Sequence, residues 1–272
     1  MSRAGLVALV LAVAAAAVSG CAKPRLQLPS GPSVPLDNPN QIFDEAFGGC
    51  SDLRSLTLEI GLSGRAGGRK LRARLLAGLA APSSIRLEAV APFGAPGFIL
   101  AASDASSVLL LPRDDRVLRD APPQDILAAL AGVHVGPADL LAFLAGCPGA
   151  APVASGARRF SDEWAAVDLD DGGVAYLQHG ETWHLAAIVR PDLRTVFEEW
   201  TVEGPGRVGL QSPDGGDPAA FDLSLRLSQV ERNAEIPAAA FSVEVPPDTE
   251  PITLDELRQA GPMRDSLADR TS

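Results

Sequence analysis

The sequence predicts a mainly β fold with helices: about ten or eleven antiparallel strands in one sheet, with two helices inserted mid-chain. Three observations predict it. Long stretches on both sides of the middle alternate apolar and polar residues with period two, as strands with one wet face must. Two apolar stretches in the middle switch to helical spacing. No segment repeats at a fixed period, which leaves one sheet instead of an array. A sheet that wide has to curl.

The elements follow in order. "KPRLQLPSGPSVPLDNPN" is rich in Pro, Ser and Gly without apolar periodicity and reads as a linker. "QIFDEAFGGC" places Ile42, Phe43 and Ala46 at helical spacing and stops at Gly48–Gly49. In "LTLEIGLSG" Leu56, Leu58, Ile60 and Leu62 alternate with Thr57, Glu59 and Ser63, and "KLRARLLAGLA" continues the pattern after the turn "GRAGGR". "SIRLEAVA", "GFILAAS", "SVLLL" and "DRVLRD" extend this meander. "PPQDILAALAGV" and "GPADLLAFLAGCPG" then read as helices, each started by proline and ended near glycine. They carry Ile126, Leu127 and Leu130, and Leu140, Leu141 and Leu144, with too few charges to mark a wet face. Strands resume as "WAAVDLD", "VAYLQ", "TWHLAAIV", "RTVFEEWTVE", "RVGLQ", "FDLSLRLSQVE" and "FSVEV". "TLDEL" makes a last helical turn before a polar tail.

The N-terminus sets the address. A basic residue, Arg3, precedes an apolar run from Leu6 to Val18, the pattern of a signal peptide. "VSGC" at Val18–Cys21 resembles the bacterial lipobox, which implies cleavage before Cys21 and its acylation by chains such as palmitate; an ordinary cleavage site beside an incidental cysteine is the alternative. Ala22 and Lys23, in place of Asp, favour the outer membrane under the sorting rule for such lipoproteins. The expected organisation is signal peptide 1–20, lipidated N-terminus and linker 21–39, one domain 40–259 and a polar tail 260–272. Formal charge is −11 over the chain, and more negative still without Arg3. That argues against nucleic acid and against a polybasic grip on anionic lipid. Cys50 and Cys147 remain, an even pair in an oxidising compartment; they read as a structural disulfide, or as two buried thiols.

No catalytic constellation assembles. His179 and His184 are five apart and face opposite sides of a strand, and no acidic or thiol cluster joins them at metal-ligand spacing. Nucleophile elbow, P-loop and dinucleotide motifs are absent, and Glu198–Glu199 point apart. No enzyme activity, cofactor or metal is expected. A curled sheet lined by Leu, Ala and Val under apolar helices suits a cavity for acyl chains. The same composition suits a solid core.

The order of lipobox, linker, helix, meander, "APFGAPGFIL" and "ILAALAGVHVGPADLLAFLAGCPG" resembles the LolB and LolA-like outer-membrane lipoprotein sorting family, best from about Leu53 to Gly149. The resemblance implies an unclosed β-barrel with a helical lid over a hydrophobic cavity. It implies a monomer, lipid-anchored in the outer membrane and facing the periplasm. Such a protein receives lipoprotein acyl chains from a LolA-like periplasmic carrier and inserts them in that membrane. Carrying another lipid, or serving a structural role with a packed barrel, is the alternative. The lid and cavity would fall to the six helix residues named above. The membrane-touching tip would fall to Pro92, Phe93 and Gly94, where the best-known members have Leu and not Phe; a Phe93 folded back as a plug is the other reading. The Cys50–Cys147 pair is no part of the family pattern.

Overall fold

A computed structural model of the chain describes residues 26–104, 106–213 and 220–260. The signal peptide, Cys21 and nearly all of the polar tail lie outside them. The elements are β1 (Val34–Pro35), α1 (Pro39–Phe47), β2 (Ser55–Ala66), β3 (Arg69–Ala80), β4 (Ser84–Val90), β5 (Ile99–Ser103), β6 (Ser106–Leu111), β7 (Arg116–Arg119), α2 (Pro123–Ala131), α3 (Pro137–Leu144), β8 (Pro152–Arg159), β9 (Trp164–Leu169), β10 (Val174–His179), β11 (Trp183–Val189), β12 (Arg194–Thr201), β13 (Gly204–Gln211), β14 (Phe221–Arg232), β15 (Glu250–Pro251) and α4 (Leu254–Ala260).

All the strands join one unclosed sheet in the order β1-β8-β9-β10-β11-β12-β13-β14-β2-β3-β4-β5-β6-β7-β15. Every pairing is antiparallel except β15 with β7. The two halves of the chain meet where β14 pairs β2, with Leu225 opposite Leu62 and Leu227 opposite Ile60. The alternation decides which face is inside: Leu56, Leu58, Ile60 and Leu62 of β2 and Leu71, Leu75, Ala77 and Leu79 of β3 are buried, while Lys70, Arg72 and Arg74 between them are exposed.

Helices α2 and α3 sit on the inner face in one continuous core with the strands. Both begin with proline at the first helical positions, where the missing N–H costs nothing, and α2 ends at Gly132 in the left-handed conformation (φ 76°). Their apolar surface leaves no stable alternative to burial.

Four differences from the sequence reading have physical causes. The sheet has fifteen strands, two of them the two-residue edges β1 and β15, too short to show any period. Part of the segment read as linker is docked: β1 pairs β8, and the Leu36 N–H donates to the Ala157 carbonyl at 3.1 Å. Strand β8 shows no clean alternation in the sequence because its register shifts between Val153 and Arg158. Conversely, "FSVEV" is not a strand: Ala238–Phe241 forms a 3₁₀ turn that buries Phe241 alone.

Candidate functional site

The β4–β5 hairpin ends in a short projecting tip. Its ladder continues past the Glu88–Ile99 pair through the Ala89 N–H to the Phe98 carbonyl (3.0 Å) and the Gly97 N–H to the Ala89 carbonyl (2.9 Å). Beyond that, Pro92, Phe93, Gly94 and Ala95 are all exposed. Gly94 has φ +77° with open space around it, so the backbone conformation and not crowding calls for glycine. The Arg113 side chain braces the tip by donating to the Ala95 carbonyl at 3.1 Å. Phe93 itself is 90% exposed and does not fold back onto the barrel. Burying a side chain of that size is worth roughly 1.5–3 kcal/mol, which this conformation forgoes.

The helix residues marked as lid are brought together in the core. Ile126, Leu130, Leu140, Leu141 and Leu144 are buried, and Leu127 is half-buried against them. The C-terminal end of α3 is held from several sides. Cys50 and Cys147 form a disulfide (Cα–Cα 5.8 Å) that ties it to the end of α1. Arg232 donates to the carbonyls of Ala145 (3.1 Å) and Gly49 (3.0 Å), spanning the same junction. Arg190 donates to the Pro148 carbonyl (3.1 Å), pairs with Asp171 (2.6 Å) and lies over the Phe143 ring. Burial alone would raise the Asp171 carboxyl, but hydrogen bonds from the Gly173 N–H and Arg190, with the guanidinium charge, hold it below its usual range. Gly146 is left-handed and packed so closely on Trp200 that a Cβ would strike the indole. Arg190, Asp171, Arg232 and Trp200 carried no signal in the sequence, because their contacts with the end of α3 join segments more than twenty residues apart or, for Asp171, run through Arg190.

A cavity of about 320 Å³ is lined by Val34–Asn38, Gln41, Ile42, Arg159 and Trp183. Another of about 260 Å³ lies on the outside of β12–β14, between Leu26, Arg194, Arg207 and Asp222. Neither is lined by a residue of α2 or α3. Among the described residues, no three His, Cys, Asp or Glu side chains converge as metal ligands, and no helix is long and apolar enough to cross a membrane. His179 and His184 pack instead on Trp183 and Trp200, with ring centroids 5.0 and 5.6 Å apart.

No family model and no curated protein matches this sequence. Solved structures do. A LolA superfamily protein from Nitrosomonas europaea superimposes with a TM-score of 0.50 at 11% identity, covering 75% of this chain and 95% of that one. A DUF1329 family protein from Desulfovibrio piger gives 0.47 at 11% identity, over 72% and 92%. The first likeness makes the fold LolA-like: a large unclosed sheet wrapped around helices. The second, below 0.5, adds nothing to that.

Proposed function

We propose that this protein is a non-enzymatic acyl-chain-binding lipoprotein of the outer membrane, which accepts lipoproteins from a periplasmic carrier and inserts them in that membrane. The observation that carries this reading is Phe93, 90% exposed on a braced hairpin tip of a LolA-like fold. An aromatic held in water at a turn suits the interfacial region of a bilayer, where its ring is buried without spanning. Cys21 supplies the anchor. Acyl chains would enter by displacing the side chains of α2 and α3 from the inner face of the sheet, at roughly 25 cal/mol per Å² of chain buried.

The test uses the chain from residue 22 onward, which contains every described residue, mixed with a LolA-type carrier loaded with a labelled lipoprotein. Movement of the label onto this protein is the expected result. Retention of a different lipid with no transfer would keep the acyl-binding role and replace the cargo; binding of neither would leave a structural lipoprotein.

A further inference from the structure

We infer that the end of the barrel bearing Phe93 is a docking surface for an anionic lipid bilayer, gripped by the outward basic side chains Arg65, Lys70 and Arg72 of the β2–β3 hairpin. The chain is acidic overall, a sum that argues against a polybasic contact. The fold shows that the charge is unevenly placed. From Ile60 to Leu75 the β2–β3 hairpin carries five basic side chains and no acidic one. Arg74 pairs with Glu59, and Arg69 donates to the Ala260 carbonyl. Arg65, Lys70 and Arg72 are exposed and make no ion pair among the described residues.

Register places these side chains beside the tip. Arg65 lies opposite Lys70, and Ser63 opposite Arg72, so all three basic groups share the outer face. Strand β4 pairs β3 up to Val90 opposite Arg74. Continued by the same count, the register sets Pro92 level with Arg72 and Gly94 level with Lys70. Neighbouring strands are about 4.8 Å apart, so Phe93 and the basic side chains meet one plane together. Acidic neighbours exist: Asp222 faces Arg65 across the ladder, Asp114 and Asp115 lie in the β6–β7 turn beside Arg113, and Glu256 pairs with Arg116. The β13–β14 connection adds Asp214 and Asp217 by sequence.

The first described residue after the anchor lies beside the same row. Leu26 is held by Arg194, whose guanidinium donates to the Leu26 carbonyl at 2.6 Å. Arg194 pairs with Gln211, Gln211 with Asp222, Asp222 with Arg65 and Arg65 with Lys70, one row across five strands. From Leu26 back to Cys21 is five residues, at most about 18 Å of chain. A lipid on Cys21 is therefore tethered within about 18 Å of this row. The opposite end also presents an apolar tip, Val202, 96% exposed, beside Glu203 and the Glu199–Arg207 ion pair. An anionic surface attracts the unpaired basic row beside Phe93.

The inference rests on the membrane-contact reading of Phe93, and the experiment separates the two. The chain from residue 22 onward is sedimented with vesicles of phosphatidylethanolamine, with and without about 30% phosphatidylglycerol, at low and high salt. Binding should rise about tenfold with the anionic lipid and lose that gain at high salt. R65E/K70E/R72E should abolish the gain, R65Q/K70Q/R72Q should reduce it, and both should melt like the parent, since the side chains are exposed. V202E should change nothing. Loss in F93E with full binding by the triple variant overturns the basic grip and keeps the tip. Loss in the triple variant alone keeps the grip and removes the tip. If the triple variant binds vesicles normally but no longer accepts cargo from a loaded carrier, the patch is a protein-docking face and the inference is wrong.

Discussion

Phe93 stays in water because the residues on either side give it no route home. Proline fixes the backbone before it and a left-handed glycine follows, so the ring is carried outward by the turn. Phe93→Glu should therefore leave the unfolding free energy within about 0.5 kcal/mol of the parent, as exposed positions do, while delivery of cargo to membranes falls about tenfold or more. A large stability loss in urea titration would mean that the ring packs after all. This residue was legible because strand-like runs bracket "PFG". Histidine was not. Burial lowers the His184 pKa below 6.5, His179 lowers it further, and the Thr182 carbonyl opposes both. Folding thus prefers the neutral ring. The stability this supplies is complete above the unfolded value of about 6.5 and is lost as pH falls through the lower folded value. His184→Phe should flatten the decline in melting temperature below about pH 6.5; an unchanged pH profile would place the sensitivity elsewhere, with the Asp171 carboxylate the next candidate at lower pH.

At the scale of elements, the helix pair is fastened at one end. The disulfide, Arg232 and Arg190 all act between Ala145 and Pro148, whereas α2 ends at Gly132 without a covalent tie. The bridge closes a separation of 97 residues, so the chain-entropy model gives it about 4–5 kcal/mol. Replacing Cys50 and Cys147 together by Ser should cost that much in equilibrium unfolding. A loss below about 1 kcal/mol would show that the two arginines hold the junction alone. The helices could be located from their proline starts and glycine stops, and the long strands from strict alternation. What could not be read was irregularity: β8 with its shifted register, and Phe241, whose burial by a single turn imitated the start of a strand.

For the whole molecule, breadth was readable and neighbourhood was not. Enough alternating runs demand a curled sheet, yet nothing local says that β14 returns to lie beside β2 and so joins the chain's two halves. That seam makes the sheet one cooperative unit. All three tryptophans (Trp164, Trp183 and Trp200) lie in the second half. Their fluorescence and far-ultraviolet circular dichroism should nonetheless trace the same urea transition. Two separated transitions would show that the halves unfold independently.

The two short edge strands have a consequence for association. At one edge the Leu36 N–H points inward to the Ala157 carbonyl; at the other, the N–H groups of Glu250 and Ile252 point inward to Asp115 and Val117. The alternate positions, whose N–H would point away from the sheet, are Pro35 and Pro251, which have none. Each rim is therefore short of the donor that a further strand would need. Copies at high local concentration are protected from zipping into a continuous ribbon, and a visiting protein has to recognise side chains instead of extending the ladder.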